Sequence, residues 1–366
     1  MKALLLSGSI GMGHDVMAEA CAVSLRERGW ETETLDSMRL MGPSASGWGE
    51  RVFRGLLAVP GAYDAFHFEQ LRTGGRLARF AERASAKYAV PALREELAKR
   101  PTDLVVSVFA TGAVATSRIK AEHPGIRTAT FCTDVCPHRL WVHENTDLYL
   151  VTSQAAAGFI RGSHPEAEIA IVPPPARPQF YKAPTQQDAR IELDVPEAAP
   201  CVLLMGGSWG LGPLLELAAE LARSGIYTLA VAGHNASLAE GLQKLHEREP
   251  RVIPFGFTDR IPELMAASDV VITTSGDTCS EARVIGRELL LLDIVPGHGR
   301  ENLQHELSRG GAAVAPFDAI GLRRAVVAAL ARVSPPTERV VQTPDAWEQA
   351  FGEALARIGL GSAAAP

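Results

Sequence analysis

The sequence predicts an α/β protein of two doubly wound domains facing a cleft, and three observations predict it. Short apolar runs alternate with helical patterns along almost the whole chain, the pattern of a parallel sheet covered by helices on both faces. An apolar strand running into a glycine-rich turn and then a helix opens the chain at residue 2 and recurs at residue 201. A chain of 366 residues is long for one core and suits two.

Taken in order, the predicted strands of the first half are Lys2–Ser7, Thr32–Asp36, Leu104–Val108, Arg127–Cys132, Leu148–Thr152 and Ile169–Val172. Helical patterns fall at 15–28, at 76–99 with a break expected at Pro91, and at 111–122. The first domain is therefore assigned to residues 1–175 and ends at Pro173-Pro174-Pro175. The polar, proline-spotted stretch 176–200 reads as a linker. The second domain, 201–335, has strands expected at 201–205, 227–232, 251–255, 269–273 and 289–293. Its helices are expected at 212–224, 236–248, 259–267, 279–286 and 301–309. After a proline pair at 335–336, a last helix over 344–358 is expected to pack back onto the first domain, ahead of a short small-residue tail.

Composition narrows the function classes. Hydrophobic content of 46% and charged content of 21% are those of a soluble globular protein. A net charge of −6 argues against nucleic acid as a partner. Five cysteines with no Cys-x-x-Cys pair suit a reducing compartment, where they serve as small buried hydrophobes. With no signal peptide pattern and no apolar run long enough to span a bilayer, the expected location is cytoplasmic. Arg76, Arg79, Arg83 and Lys87 share one helical face, and Arg72 would extend it from the preceding loop. Such a face either rests on an anionic membrane surface, making the protein peripheral on its inner side, or is an ordinary solvated surface.

Chemistry-bearing residues cluster where strands end. The spacing Gly8-x-x-Gly11-x-Gly13 is not that of a dinucleotide site, but it delivers His14 to a helix start. There the helix N-terminus disfavours a charged imidazole, leaving a neutral general base; a structural histidine is the alternative. Asp134 follows the strand 127–132 and either accepts from a hydroxyl, holds His14, or caps the next turn. His138 and His143 have no third ligand, so no metal is expected. In the second half Gly207 and Ser208 offer amides and a hydroxyl for an anion, and Ser275, Gly276 and Thr278 open another helix. Two such termini on one crevice suit a diphosphate. Glu281 is placed to bridge two vicinal ribose hydroxyls, or to form a capping box with Thr278. Phe257 is placed for backbone contacts to a base, and His298, Arg300, Glu301 and Asn302 line a polar loop suited to sugar hydroxyls.

Together these residues resemble the GT-B glycosyltransferases, whose domains are Rossmann-like. The branch resembled is that of monogalactosyldiacylglycerol synthases, processive diacylglycerol glucosyltransferases and, more distantly, the lipid II-forming N-acetylglucosaminyltransferase. Gly11-Met12-Gly13-His14 is similar to the family's Gly-x-Gly-His loop, and Asp134, His138 and Trp141 fit its Asp-x-x-x-His-x-x-Trp pattern. The run Leu204 to Gly212 resembles the donor-domain glycine loop, Glu281 the ribose glutamate, and Pro296-Gly297 with Asn302 the donor-sugar loop.

The resemblance implies an inverting, metal-independent transfer of a hexose from a UDP-sugar, with no cofactor. His14 and Asp134 would be catalytic, and Gly11, Gly13, His138 and Trp141 would face the acceptor. That acceptor would be a membrane lipid such as diacylglycerol. A soluble natural product as acceptor, a UDP-sugar epimerase and a non-enzymatic nucleotide-sugar-binding module are the rival expectations. The chain departs from the family at Ser275-Gly276-Asp277-Thr278, where a Gly-Pro-Gly-Thr run is usual, and at His298-Gly299, where Gln-Glu is usual. Asp277 thereby adds a carboxyl near the expected phosphates.

Overall fold

The computed structural model describes residues 1–8, 13–42, 47, 51–52, 55–56, 59, 61–333 and 343–361. The chain divides into two units. The first holds Met1–Pro175, Pro296–His298 and Pro344–Pro366; the second holds Ala176–Val295 and Gly299–Thr343.

The first unit is built on a six-stranded, wholly parallel sheet of order β2-β1-β3-β4-β5-β6. Its strands are β1 (Lys2–Ser7), β2 (Glu31–Asp36), β3 (Leu104–Ser107), β4 (Arg127–Phe131), β5 (Leu148–Val151) and β6 (Ile169–Ile171). The central strands β1, β3, β4 and β5 are buried nearly throughout because helices cover both faces, which is why β1, β3 and β5 read as apolar runs. On one face the helix Gly13–Glu27 and the C-terminal helix Asp345–Arg357 share a core with the sheet. Trp347 stacks on Phe131 at 5.7 Å, and Phe351 is fully buried. Arg28 donates to Glu348 at 2.6 Å and fixes that last helix to the loop after the first.

The helix Arg76–Lys99 runs through Pro91 unbroken, against the expected break. Pro91 lies on its exposed side, while Ala89, Val90 and Leu93 are buried beside Leu4, Leu6 and Ile119. That packing outweighs the lost hydrogen bond, a cost of about 3 kcal/mol. A π-helical turn, Phe66–Arg72, precedes it and was not foreseen; nor was the helix Gln154–Ser163.

The second unit repeats the plan with the order β12-β11-β10-β7-β8-β9, again all parallel. The strands are β7 (Cys201–Met205), β8 (Tyr227–Val231), β9 (Val252–Phe255), β10 (Val270–Thr273), β11 (Glu288–Leu291) and β12 (Ala312–Val314). β12 escaped sequence reading because it has three residues and lies, half-exposed, on the sheet edge. The stretch 176–200 is not a linker. It folds as a short 3-10 helix, Pro178–Lys182, and a helix, Gln186–Glu192, capped by Thr185. Ala176, Phe180, Ala189, Leu193 and Val195 are buried in this unit's core, and Arg190 bonds Asp269 at 2.9 Å. Few apolar residues, widely spaced among polar ones, gave that segment its linker-like composition.

Candidate functional site

In each sheet one pair of adjacent strands sends its connections in opposite directions, and a crevice opens at their carboxyl ends. In the first unit the pair is β1 and β3; in the second it is β7 and β10. His14 lies at the first of these points and Gly207, Ser208, Ser275, Gly276 and Thr278 at the second, whereas Asp134 follows β4, Phe257 follows β9 and His298–Asn302 follow β11.

His14 is the second residue of the helix after β1, and its Nδ1 lies 2.9 Å from the carbonyl oxygen of Val108, just beyond β3. A carbonyl oxygen can only accept, so Nδ1 carries the proton and Nε2 presents a lone pair. Phe109 meets the imidazole edge-on at 4.7 Å. A Cβ on Gly8 would fall 2.3 Å from the Phe109 ring, so this glycine is what lets the ring stand there. Burial lowers the pKa of His14, against the opposing pull of Asp134 and the Val108 carbonyl, and the ring is therefore neutral near pH 7. Ser7 and Asp15 are hydrogen-bonded to each other at the same helix start.

Asp134 accepts from Trp141 Nε1 at 2.9 Å, and His138 Nε2 stands 3.6 Å from the same oxygen. The Leu140 amide donates to His138 Nδ1 at 3.3 Å, which leaves the proton on Nε2, facing the carboxylate. Burial pushes the Asp134 carboxyl up, but the neighbouring His138 and His298, the Trp141 N–H and His14 together more than reverse this, and it is held below its ordinary value. The same burial takes His138 down to about 4. The hydrogen bond that orients His14 thus comes from Val108 and not from Asp134, which acts on it through charge. Trp141 and His138 are buried, at 2% and 8% exposure, because Trp141 packs into a core with Val142, Tyr149 and Ile160. They set the carboxylate and do not form an open acceptor wall. Gly13 is half-buried at the helix start, and Gly11 lies outside the described residues.

In the second unit the Gly206–Gly212 loop after β7 closes on itself through Leu211 N–H to Gly206 O at 2.9 Å. The helix Leu214–Arg223 follows with no side-chain cap. Gly207 has φ of 70°, a left-handed conformation, and the Ser208 hydroxyl bonds no described residue. After β10 the buried Ser275 hydroxyl donates to Gly299 O at 2.9 Å, so it ties two loops together. Gly276 is exposed and Thr278 half-buried beside it.

Glu281 does not form the alternative capping box. Its Oε1 accepts from Arg177 Nε at 2.6 Å, and the carboxyl is only 3% exposed. Arg177 came from the segment taken for a linker, so sequence reading missed it. Burial raises the pKa of Glu281 and Arg177 partly restores it. Burial and the neighbouring Glu281 push Asp277 up to about 7. Phe257 exposes 53% of its surface after β9, so its ring as well as its backbone is presented. Asn302 has its side-chain oxygen buried with no partner among the described residues, while Arg300 and Glu301 lie on the same helix, His298–Ser308. His298 groups with the first unit, whereas Arg300, Glu301 and Asn302 belong to the second.

Among the described residues, no three His, Cys, Asp or Glu side chains are placed to hold a metal ion, and no helix is long and apolar enough to cross a membrane. On the helix Arg76–Lys99, Arg76, Leu77, Phe80, Arg83, Lys87 and Tyr88 are all exposed, and Arg79 with them. Arg72 is not part of this face. It lies in the π-helical turn, donates to Cys136 O at 3.2 Å and stacks over Phe159 at 5.0 Å.

Residues 14–170 match the family model described as monogalactosyldiacylglycerol (MGDG) synthase. The processive diacylglycerol beta-glucosyltransferase of Bacillus subtilis (strain 168) is 30% identical over 228 residues, which are 61% of this chain and 59% of that protein. A probable chloroplastic monogalactosyldiacylglycerol synthase of Glycine max is 28% identical over 244 residues, 62% of this chain and 46% of that protein. The chain therefore spans less than two thirds of these relatives' lengths. Among solved structures, Arabidopsis thaliana UGT89C1 complexed with UDP superposes with a TM-score of 0.60 at 14% identity, over 98% of this chain and 99% of that one. The fold is GT-B, and over residues 14–170 the chain is similar to monogalactosyldiacylglycerol synthases.

Proposed function

We propose that this protein is an inverting glycosyltransferase that moves a hexose from a UDP-sugar to a hydroxyl group of a diacylglycerol-type membrane lipid. The observation that carries this reading is the His14–Val108 hydrogen bond, which fixes a neutral imidazole with Nε2 bare at the crevice of its sheet. In the step proposed, Nε2 takes the acceptor's hydroxyl proton while the oxygen bonds to the anomeric carbon. The bond from that carbon to the β-phosphate oxygen breaks, and UDP departs with the electron pair from the opposite face. Asp134, ionised and close by, stabilises the imidazolium as it forms.

On the donor side, the Gly207–Ser208 amides and the loop Ser275–Thr278 share the second crevice, where backbone N–H groups suit a diphosphate. The orphaned Asn302 oxygen fits a sugar hydroxyl, and Glu281 the ribose. This chemistry needs no metal ion. A mixed cationic and aromatic face on the helix Arg76–Lys99 supports docking to an anionic membrane, where each cation contributes about 1 kcal/mol.

The test is turnover of UDP-sugar and diacylglycerol by His14→Ala. A loss of about 10²–10⁴-fold is expected, with UDP affinity kept. Because the imidazole must be neutral and its pKa is lowered, wild-type turnover should reach half its maximum below pH 6.5 on the acid side. Undiminished turnover in the variant removes His14 from the role.

A further inference from the structure

His234, in the turn after β8, carries an exposed imidazole that stacks face to face on the Phe257 ring. Their centroids are 4.0 Å apart and their planes 13° from parallel. Neither ring belongs to the core. The backbone that carries His234 is nevertheless fixed, because its amide donates to the carbonyl of Ser208 at 2.8 Å, on the glycine loop. The two backbones touch as closely as backbones can. A Cβ on Gly233 would fall 2.3 Å from Ser208 O, and one on Gly210 would fall 2.3 Å from Ala232 O. Asn235 completes the turn by capping the helix Ala236–His246, accepting from the Leu238 amide at 3.0 Å. Two glycines, one backbone hydrogen bond and one cap thus hold an imidazole at a fixed distance from the loop assigned to the phosphates.

We propose that His234 is a positioning residue for the donor's base: its ring holds Phe257 flat beside the glycine loop, so that the free face of Phe257 stacks a nucleobase. The inference rests on the nucleotide-sugar reading above and adds to it a residue that acts on the base alone. A phenylalanine with one face covered by imidazole and 53% of its surface exposed presents a single ready stacking surface. Without its backing ring, Phe257 would sample several rotamers and lose entropy on each binding event. The closeness and near-parallel planes of the two rings keep the Phe257 ring in one orientation.

The experiment measures the binding of UDP, and of inorganic pyrophosphate by competition against UDP, to the full-length wild-type protein, His234→Ala and His234→Phe. Loss of the backing ring should weaken UDP about three- to tenfold, part of the worth of one base–aromatic stack, and leave pyrophosphate within about twofold. His234→Phe should restore UDP binding to within about twofold of wild type. Equal weakening of UDP and pyrophosphate would overturn the proposal, because the turn would then serve only to shape the phosphate loop. So would unchanged UDP affinity in His234→Ala, or a failure of phenylalanine to rescue. If the wild-type protein binds no UDP, the nucleotide-sugar reading falls and takes this inference with it; if it binds UDP but any of those three results appears, only the inference falls.

Discussion

Arg177→Met tests how a buried carboxyl is compensated beside the proposed ribose site. The arginine is a quarter exposed and donates to Glu281 at 2.6 Å, while the glutamate is 3% exposed, so the substitution strands an anion in a nearly dry place. Breaking such a pair from one side typically costs about 3–5 kcal/mol. Protonation sets a lower ceiling here. A carboxyl with an ordinary value of 4.5 takes up a proton at pH 7 for about 3.4 kcal/mol, at roughly 1.4 kcal/mol per pH unit, and the penalty cannot exceed that.

At pH 5 the same ceiling is about 0.7 kcal/mol. The sign follows from the direction of the shift. Glu281 is raised in the fold and rises further without its partner, so the deficit is small at low pH and grows until the pH passes the variant's folded value. Methionine keeps the stem that packs near Phe180, whose ring lies 4.8 Å from the guanidinium. Urea unfolding of the full chain at pH 5 and pH 7 measures the effect, with hydrogen exchange over 278–284 assigning the transition to the second unit. A deficit equal at the two pH values refutes the claim that Arg177 acts by compensating the charge of Glu281.

Two further outcomes follow from geometry. Gly8→Ala should destabilise the first unit by about 1–3 kcal/mol and lower turnover, because the new methyl group displaces the Phe109 ring that braces His14; an unchanged melting temperature contradicts this. Replacing Leu77 and Phe80 together by glutamate should cut sedimentation with anionic vesicles about tenfold or more and leave the fold intact, since both side chains are exposed. Equal sedimentation of variant and wild type would mean that another surface meets the lipid.

Much of this was legible in the sequence because parallel strands buried on both faces leave continuous apolar runs. Lys2–Ser7 and Cys201–Met205 lie where those runs put them. The residues at strand ends were legible for the same reason: once β1, β4, β7 and β10 are placed, His14, Asp134, Ser208 and Ser275 follow by chain continuity. What the sequence withheld was long-range pairing. Nothing local announces that Val108 orients His14 across 94 residues, or that Arg177 reaches Glu281 across 104. The edge strand β12 and the π-helical turn were hidden for a different reason: both are short, and their stability comes from neighbours and not from their own pattern.

The two units treat their partly or fully buried carboxylates in opposite ways. Asp134 has an indole N–H at 2.9 Å and an imidazole N–H facing it, so its charge is stabilised and its pKa falls despite burial. Asp277 and Glu281 share a single guanidinium, so burial wins and both rise, Asp277 to about 7. Near neutral pH Asp277 is therefore protonated in a large fraction of molecules. A diphosphate arriving beside it would raise that value further, by the same like-charge logic that Glu281 already imposes.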